Sequence, residues 1–194
     1  MKKFEITSGK MVISDPCYAL PTWCQGVVER VKNGTWVSDV EKVQSWGERV
    51  SILFAINEQA LKDNPNIKDT LINGDAKELP FTFGVDSGQL GFFDHEHYRN
   101  DNSATELPKY DFGDDYDVDG GDVWYRAVCD LTLASEQWGV LPFGVVSSSG
   151  YGDGSYPVFA VTNEYDEYIG FMAIFIGEDD EIGKDDEEDE DDED

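Results

Sequence analysis

The sequence predicts a mainly β fold, an antiparallel sandwich or strongly curved sheet with minor short helices, with a mixed α+β domain as the alternative. Three observations carry that prediction. Many segments repeat apolar residues with a period of two or concentrate β-branched and aromatic residues. The 19 glycines fall between those segments, where turns and bulges need them. Helical periodicity is sparse.

Taken along the chain, strands are expected over residues 10–14, 35–43, 49–56, 81–85, 123–133, 140–147, 157–162 and 168–176. The last two flank Asn163-Glu164-Tyr165-Asp166-Glu167, a run of turn formers, and so form a hairpin. Short helices are expected over 23–31 and over 58–62, the second ending before Asn64-Pro65 because a residue ahead of proline disfavours helical torsions. Residues 94–99 read as a single turn with Asp94 as its N-cap. The polar stretches 63–79 and 99–122 read as excursions from the sheet. With no internal repeat and no Gly/Ser linker, residues 1–177 form one domain and 178–194 a separate polyacidic tail.

Charge sets the next bound. Of the chain's 194 residues, 42 are Asp or Glu and 14 are Lys or Arg. The segment 178–194 holds 14 of those acids and one base, a net of −13, leaving −15 for the first 177 residues. Ile182 is the tail's only large apolar residue, so the tail has nothing to bury and is expected to be disordered. An acidic surface of this size repels nucleic-acid phosphates and anionic membranes, and attracts basic protein surfaces and cations. It also serves plain solubility.

No apolar run reaches the roughly 18 residues that would span a bilayer. Glu5 interrupts any signal-peptide core after Lys2-Lys3. Cys17, Cys24 and Cys129 form no C-x-x-C pair and read as free thiols in a reducing compartment, which makes the cytoplasm the expected location.

The motif closest to a known chemistry is Asp115-Tyr116-Asp117-Val118-Asp119-Gly120, the first half of a calcium loop. Arg126 stands at the twelfth position, where a bidentate Glu should close the shell, so an EF-hand is excluded. Two readings stay open: a looser calcium site made by Asp115, Asp117, Asp119 and Asp122, and a solvated acidic loop. His95 and His97 are two apart, but with no third ligand in sequence a surface turn is the simpler reading of Asp94-His95-Glu96-His97. Ser87 and Ser147-Ser148-Ser149 lack the nucleophile-elbow context, and no histidine lies near Cys17 in sequence. Gly150-Tyr151-Gly152-Asp153-Gly154 carries an aspartate where a phosphate would approach, and no Lys-Ser/Thr follows it.

Three segments stand together in order. They are Ser8-Gly9-Lys10-Met11-Val12-Ile13-Ser14-Asp15-Pro16-Cys17-Tyr18, then Val85-Asp86-Ser87-Gly88-Gln89-Leu90-Gly91-Phe92-Phe93-Asp94, then Ser149-Gly150-Tyr151-Gly152-Asp153-Gly154-Ser155-Tyr156-Pro157-Val158. Their order and spacing resemble a bacterial and phage family, the domain of unknown function 4241, from about Ser8 to Ile176. The resemblance implies a β-rich globular domain common in bacterial and mobile-element genomes, and it implies no activity. It covers Asp15, Pro16, Asp86, Ser87, Gly88, Asp94, Gly152, Asp153, Gly154 and Tyr156, and leaves out the 115–122 loop. If the fold gathered Asp15, Asp86, Asp94 and Asp153, they would make a divalent-metal or acid/base cluster. Otherwise each caps a turn, as Asp-Pro, Asp-Ser-Gly and Asp-Gly contexts do.

Two functions follow. The favoured one is a non-enzymatic acidic binding protein for a basic partner, whose extreme form is an inhibitor of nucleic-acid-binding enzymes carried by phage or mobile elements. The alternative is a metal-dependent hydrolase or ligand-binding domain built on the aspartate cluster. Calcium through the 115–122 loop is the one cofactor the sequence suggests.

Overall fold

The run Ile52-Leu53-Phe54-Ala55-Ile56 is apolar at every position because the sheet that carries it is covered on both faces. A computed structural model describes residues 1–104 and 121–177. In chain order its strands are β1 (Lys2–Ile6), β2 (Lys10–Ser14), β3 (Gly26–Glu29), β4 (Gly34–Gln44), β5 (Glu48–Asn57), β6 (Lys77–Glu78), β7 (Phe83–Val85), β8 (Gln89–Asp94), β9 (Trp138–Leu141), β10 (Gly144–Ser148), β11 (Gly154–Tyr156), β12 (Val158–Thr162) and β13 (Tyr168–Ile174). The helices are α1 (Glu58–Asp63), α2 (Ile67–Ile72) and α3 (Asp122–Thr132).

These strands make two antiparallel sheets, ordered β1-β4-β5-β13-β12-β6 and β3-β2-β8-β10-β9, plus a β7–β11 ribbon. Phe4, Trp36, Leu53 and Phe171 from the first sheet meet Met11, Ile13, Phe92 and Val145 from the second in one apolar core. The outer face of the first sheet, with Phe54, Ile56 and Met172, is covered by Ile67 and Leu71 of α2 and Ala60 of α1. The outer face of the second, with Val12, Phe93 and Val146, is covered by Trp124, Tyr125 and Val128 of α3. The mainly β sandwich with few short helices is therefore the observed fold. No described helix is long and apolar enough to cross a membrane.

Two expected elements change identity and a third divides in two. Residues 123–133 form helix α3 instead of a strand: the buried positions Trp124, Tyr125, Val128, Cys129 and Thr132 follow the helical period, which their β-branched and aromatic composition masked. Residues 23–31 contain strand β3 instead of a helix, held by pairing of Gly26–Glu29 with β2. Residues 140–147 split at Pro142-Phe143 into β9 and the start of β10, which pair as a hairpin. The polar stretch 63–79 holds α2 and β6, and β1, β8 and β11 are further strands. Helix α1 forms where expected, capped by Asn57, whose side chain accepts from the Ala60 amide. Residues 94–99 make a turn in which Asp94 accepts from the Glu96 amide at 2.9 Å.

Candidate functional site

Strand β2 ends at Ser14, and the next residue, Asp15, is fully buried. A carboxylate in that position is tolerable only with its lone pairs filled. The Asp86 amide donates to it at 2.9 Å, the Ser87 amide at 2.7 Å, the Ser87 hydroxyl at 2.6 Å and the Cys17 amide at 3.0 Å. Asp15 thereby fastens the start of the 15–25 loop to the turn between β7 and β8. The Gly88 carbonyl then accepts from the Ser149 amide at 3.0 Å, drawing in the loop between β10 and β11. Within that loop the Ser149 hydroxyl donates to the Gly152 carbonyl at 2.9 Å, and the Tyr156 hydroxyl lies 2.7 Å from the same oxygen. The three segments of the family resemblance are thus joined by consecutive hydrogen bonds.

The 15–25 loop is held from its other side as well. The Tyr98 hydroxyl donates to the Tyr18 carbonyl at 2.7 Å, and Arg99 donates to the Cys17 carbonyl at 2.7 Å. The Gly84 amide donates to the Cys24 carbonyl at 3.1 Å. That approach requires glycine, since a Cβ on residue 84 would fall 2.8 Å from the Cys24 Cβ. Trp23, next to Cys24, is left 83% exposed beside β7.

The result is a cleft of about 250 Å³ lined by Tyr18, Trp23, Cys24, Val85, Asp86 and Asp153 together with the ribbon's Gly84, Gly154 and Ser155. Pairing of Gly154 with Val85 brings Asp153 and Asp86 to the same end of the ribbon, and both are exposed. The Tyr18 hydroxyl donates to the Asp86 carboxylate and holds it in place. That bond is the main reason the Tyr18 phenol is pushed well above its ordinary value. Burial first, then the charge of Asp15, pushes the Cys17 thiol up strongly, and burial raises Cys24. Neither thiol is poised as a thiolate nucleophile.

The four candidate aspartates do not all line one cleft, and Asp15 and Asp94 cap turns, the other reading the sequence left open. Asp86 and Asp153 line the cleft, and Asp15 lies beneath it with its oxygens engaged by the chain. Asp94 sits at the far end of β8, opposite Met11, and Asp15, just past the end of β2, is four residues on from Met11, about 13 Å at strand spacing. Asp94 is fully buried and accepts from the Thr7 amide at 2.5 Å and the Ser8 amide at 2.8 Å. It ties the β1–β2 turn as Asp15 ties the β7–β8 turn.

Among the described residues no three His, Cys, Asp or Glu side chains gather as metal ligands. Asp115, Asp117 and Asp119 lie outside the described residues. Asp122 begins α3, where its carboxylate pairs with Arg126 at 3.1 Å. His97 stacks on Phe143 with ring centroids 3.5 Å apart and bonds Ser103 at 2.9 Å, while His95 is exposed in the turn. Ser147 and Ser149 are fully buried. Sequence reasoning missed Trp23 and Tyr18 as site residues. Tyr18 closes the first family segment, which was a usable signal; Trp23 fell in a stretch read as helix, where tryptophan suggests packing.

A family model described as Protein of unknown function (DUF4241) matches residues 4–173. Neither the curated proteins nor the solved structures contain a match to the chain.

Proposed function

Since the chain belongs to the DUF4241 family, whose description assigns no activity, the cleft itself has to supply the reading, and we propose a non-enzymatic binding protein for a basic protein partner. The partner class that fits is a nucleic-acid-binding protein, whose basic surface matches the −15 of residues 1–177 and the −13 of the tail. In that setting the protein is an inhibitor by charge mimicry, of the kind carried by phage and mobile elements, and its free thiols suit the reducing cytoplasm.

The observation that carries this reading is the pair of exposed carboxylates, Asp86 and Asp153, held at one end of the β7–β11 ribbon beside an exposed indole. Two exposed carboxylates lining one cleft present negative charge to an incoming cation. The competing hydrolase reading needs Asp15 and Asp94 in the same cleft, and their oxygens are taken by backbone amides elsewhere. Calorimetric titration with a basic nucleic-acid-binding protein tests the proposal. Affinity should fall steeply between low and high salt, and duplex DNA should compete for the partner. Binding that ignores salt, or a partner that binds this chain and DNA together, refutes it.

A further inference from the structure

The cleft's volume, about 250 Å³, lies below the roughly 300 Å³ at which small-molecule sites begin. It has room for one long side chain. Its lining is mixed: Trp23 and Val85 give apolar surface, and Asp86 and Asp153 are two exposed acidic residues. A lysine ammonium is compact and strongly hydrated, and loses its water poorly against apolar walls. An arginine guanidinium is planar, weakly hydrated and carries a fork of donors, so it lies on an aromatic face while donating to carboxylates. The Tyr18 hydroxyl occupies one oxygen of Asp86 from the chain side and leaves the remaining lone pairs of that carboxylate to an incoming donor.

We infer that this cleft seats one arginine side chain of the basic partner, with its guanidinium against Trp23 and its N–H groups donating to Asp86 and Asp153. The inference rests on the basic-partner reading and adds a chemical preference that net charge alone does not create. Trp23 and Asp153 are both exposed, so their replacement leaves the core intact.

The test uses two peptides of equal length and charge, one built on arginine and one on lysine, titrated into the full chain and into Trp23→Ala and Asp153→Asn variants. The unmodified chain is expected to prefer the arginine peptide by about fivefold or more, the range of a cation–π contact plus a charge-assisted hydrogen bond. Each variant is expected to bring that ratio close to one, with melting temperature unchanged. Equal affinity for the two peptides in the unmodified chain overturns the inference, as does an arginine preference that survives in either variant. In those outcomes salt-dependent binding of both peptides leaves the basic-partner reading standing. Failure of both peptides to bind the unmodified chain at low salt overturns the two together.

Discussion

Asp15 accepts the Ser87 hydroxyl at 2.6 Å across 72 positions of sequence, and both residues lie within the span that the family model matches. The motif aspartates divide into two kinds. Asp15 and Asp94 are fully buried and tie turns to strands; Asp86, on the turn that Asp15 ties, and Asp153, in the loop between β10 and β11, are exposed. The first pair fixes geometry, and the second pair meets solvent.

Replacing a buried anchor should therefore separate stability from binding. Asp15→Ala removes the acceptor of several part-buried donors at once, for a loss of about 3 kcal/mol. In a chain this long that is a fall of roughly 6–12 °C in Tm. Asp94→Ala should destabilise by a similar amount, because it also serves several donors. At a temperature where both variants remain folded, Asp15→Ala should weaken binding of a basic partner and Asp94→Ala should not. Thermal melts and titrations of the two variants check this, and equal binding losses would contradict it.

The Trp23–Cys24 segment reaches the ribbon only because residue 84 lacks a side chain. Gly84→Ala places a Cβ 2.8 Å from that of Cys24, so the segment must shift or the ribbon must tilt. A core clash of this size costs about 1–3 kcal/mol. The variant should melt several degrees lower and alter the fluorescence of the exposed Trp23 indole. An unchanged melt and spectrum would mean that the contact yields freely.

Alkaline pH should destabilise the protein. Cys17, Cys24 and Cys129 are raised above their ordinary value of 9.0, and Tyr98 above its ordinary 10.0, in each case mainly by burial. A folded state that keeps its protons where the unfolded state has lost them is stabilised less and less as pH rises. The stabilisation is complete below about pH 8.5 and declines from pH 9 upward. For the same reason the native thiols should react slowly with a disulfide reagent near pH 8, and all three rapidly after unfolding. Fast labelling of Cys17 in the folded protein would contradict its assigned environment.

Much of this architecture is readable without coordinates. Strands β2, β4, β5, β12 and β13 announce themselves by β-branched runs between turn residues, and the β12–β13 hairpin by its polar tip. Helix α3 was hidden because Val123, Trp124, Tyr125 and Val128 are all good strand residues; the tertiary surface of β8 and β10 selects the helix. Strand β3 was hidden for the converse reason, since pairing with β2 overrides a sequence without clear alternation. The site was half legible. Asp86 and Asp153 stand out in their Gly-flanked motifs, but their separation from Asp94 depends on strand register, and the exposure of Trp23 depends on the approach of Cys24 to Gly84.

The segment 178–194 adds charge and one large apolar residue, so deleting it should leave Tm within about 2 °C or raise it slightly by relieving repulsion. Loss of the segment's −13 should lower the association rate for a basic partner at low salt more than it raises the dissociation rate. A fall in Tm of more than about 4 °C would show that the tail docks on the body.

The most direct test of the account separates the cleft from the overall charge. An Asp86→Asn/Asp153→Asn double variant and a Glu96→Gln/Glu164→Gln double variant have the same net charge, and all four residues are exposed. Affinity for a basic nucleic-acid-binding protein, measured by calorimetry at physiological salt, should fall about tenfold or more in the first, equivalent to roughly 1.4 kcal/mol, and less than about twofold in the second. Equal losses in the two variants would contradict the cleft's role and leave net charge alone as the source of binding.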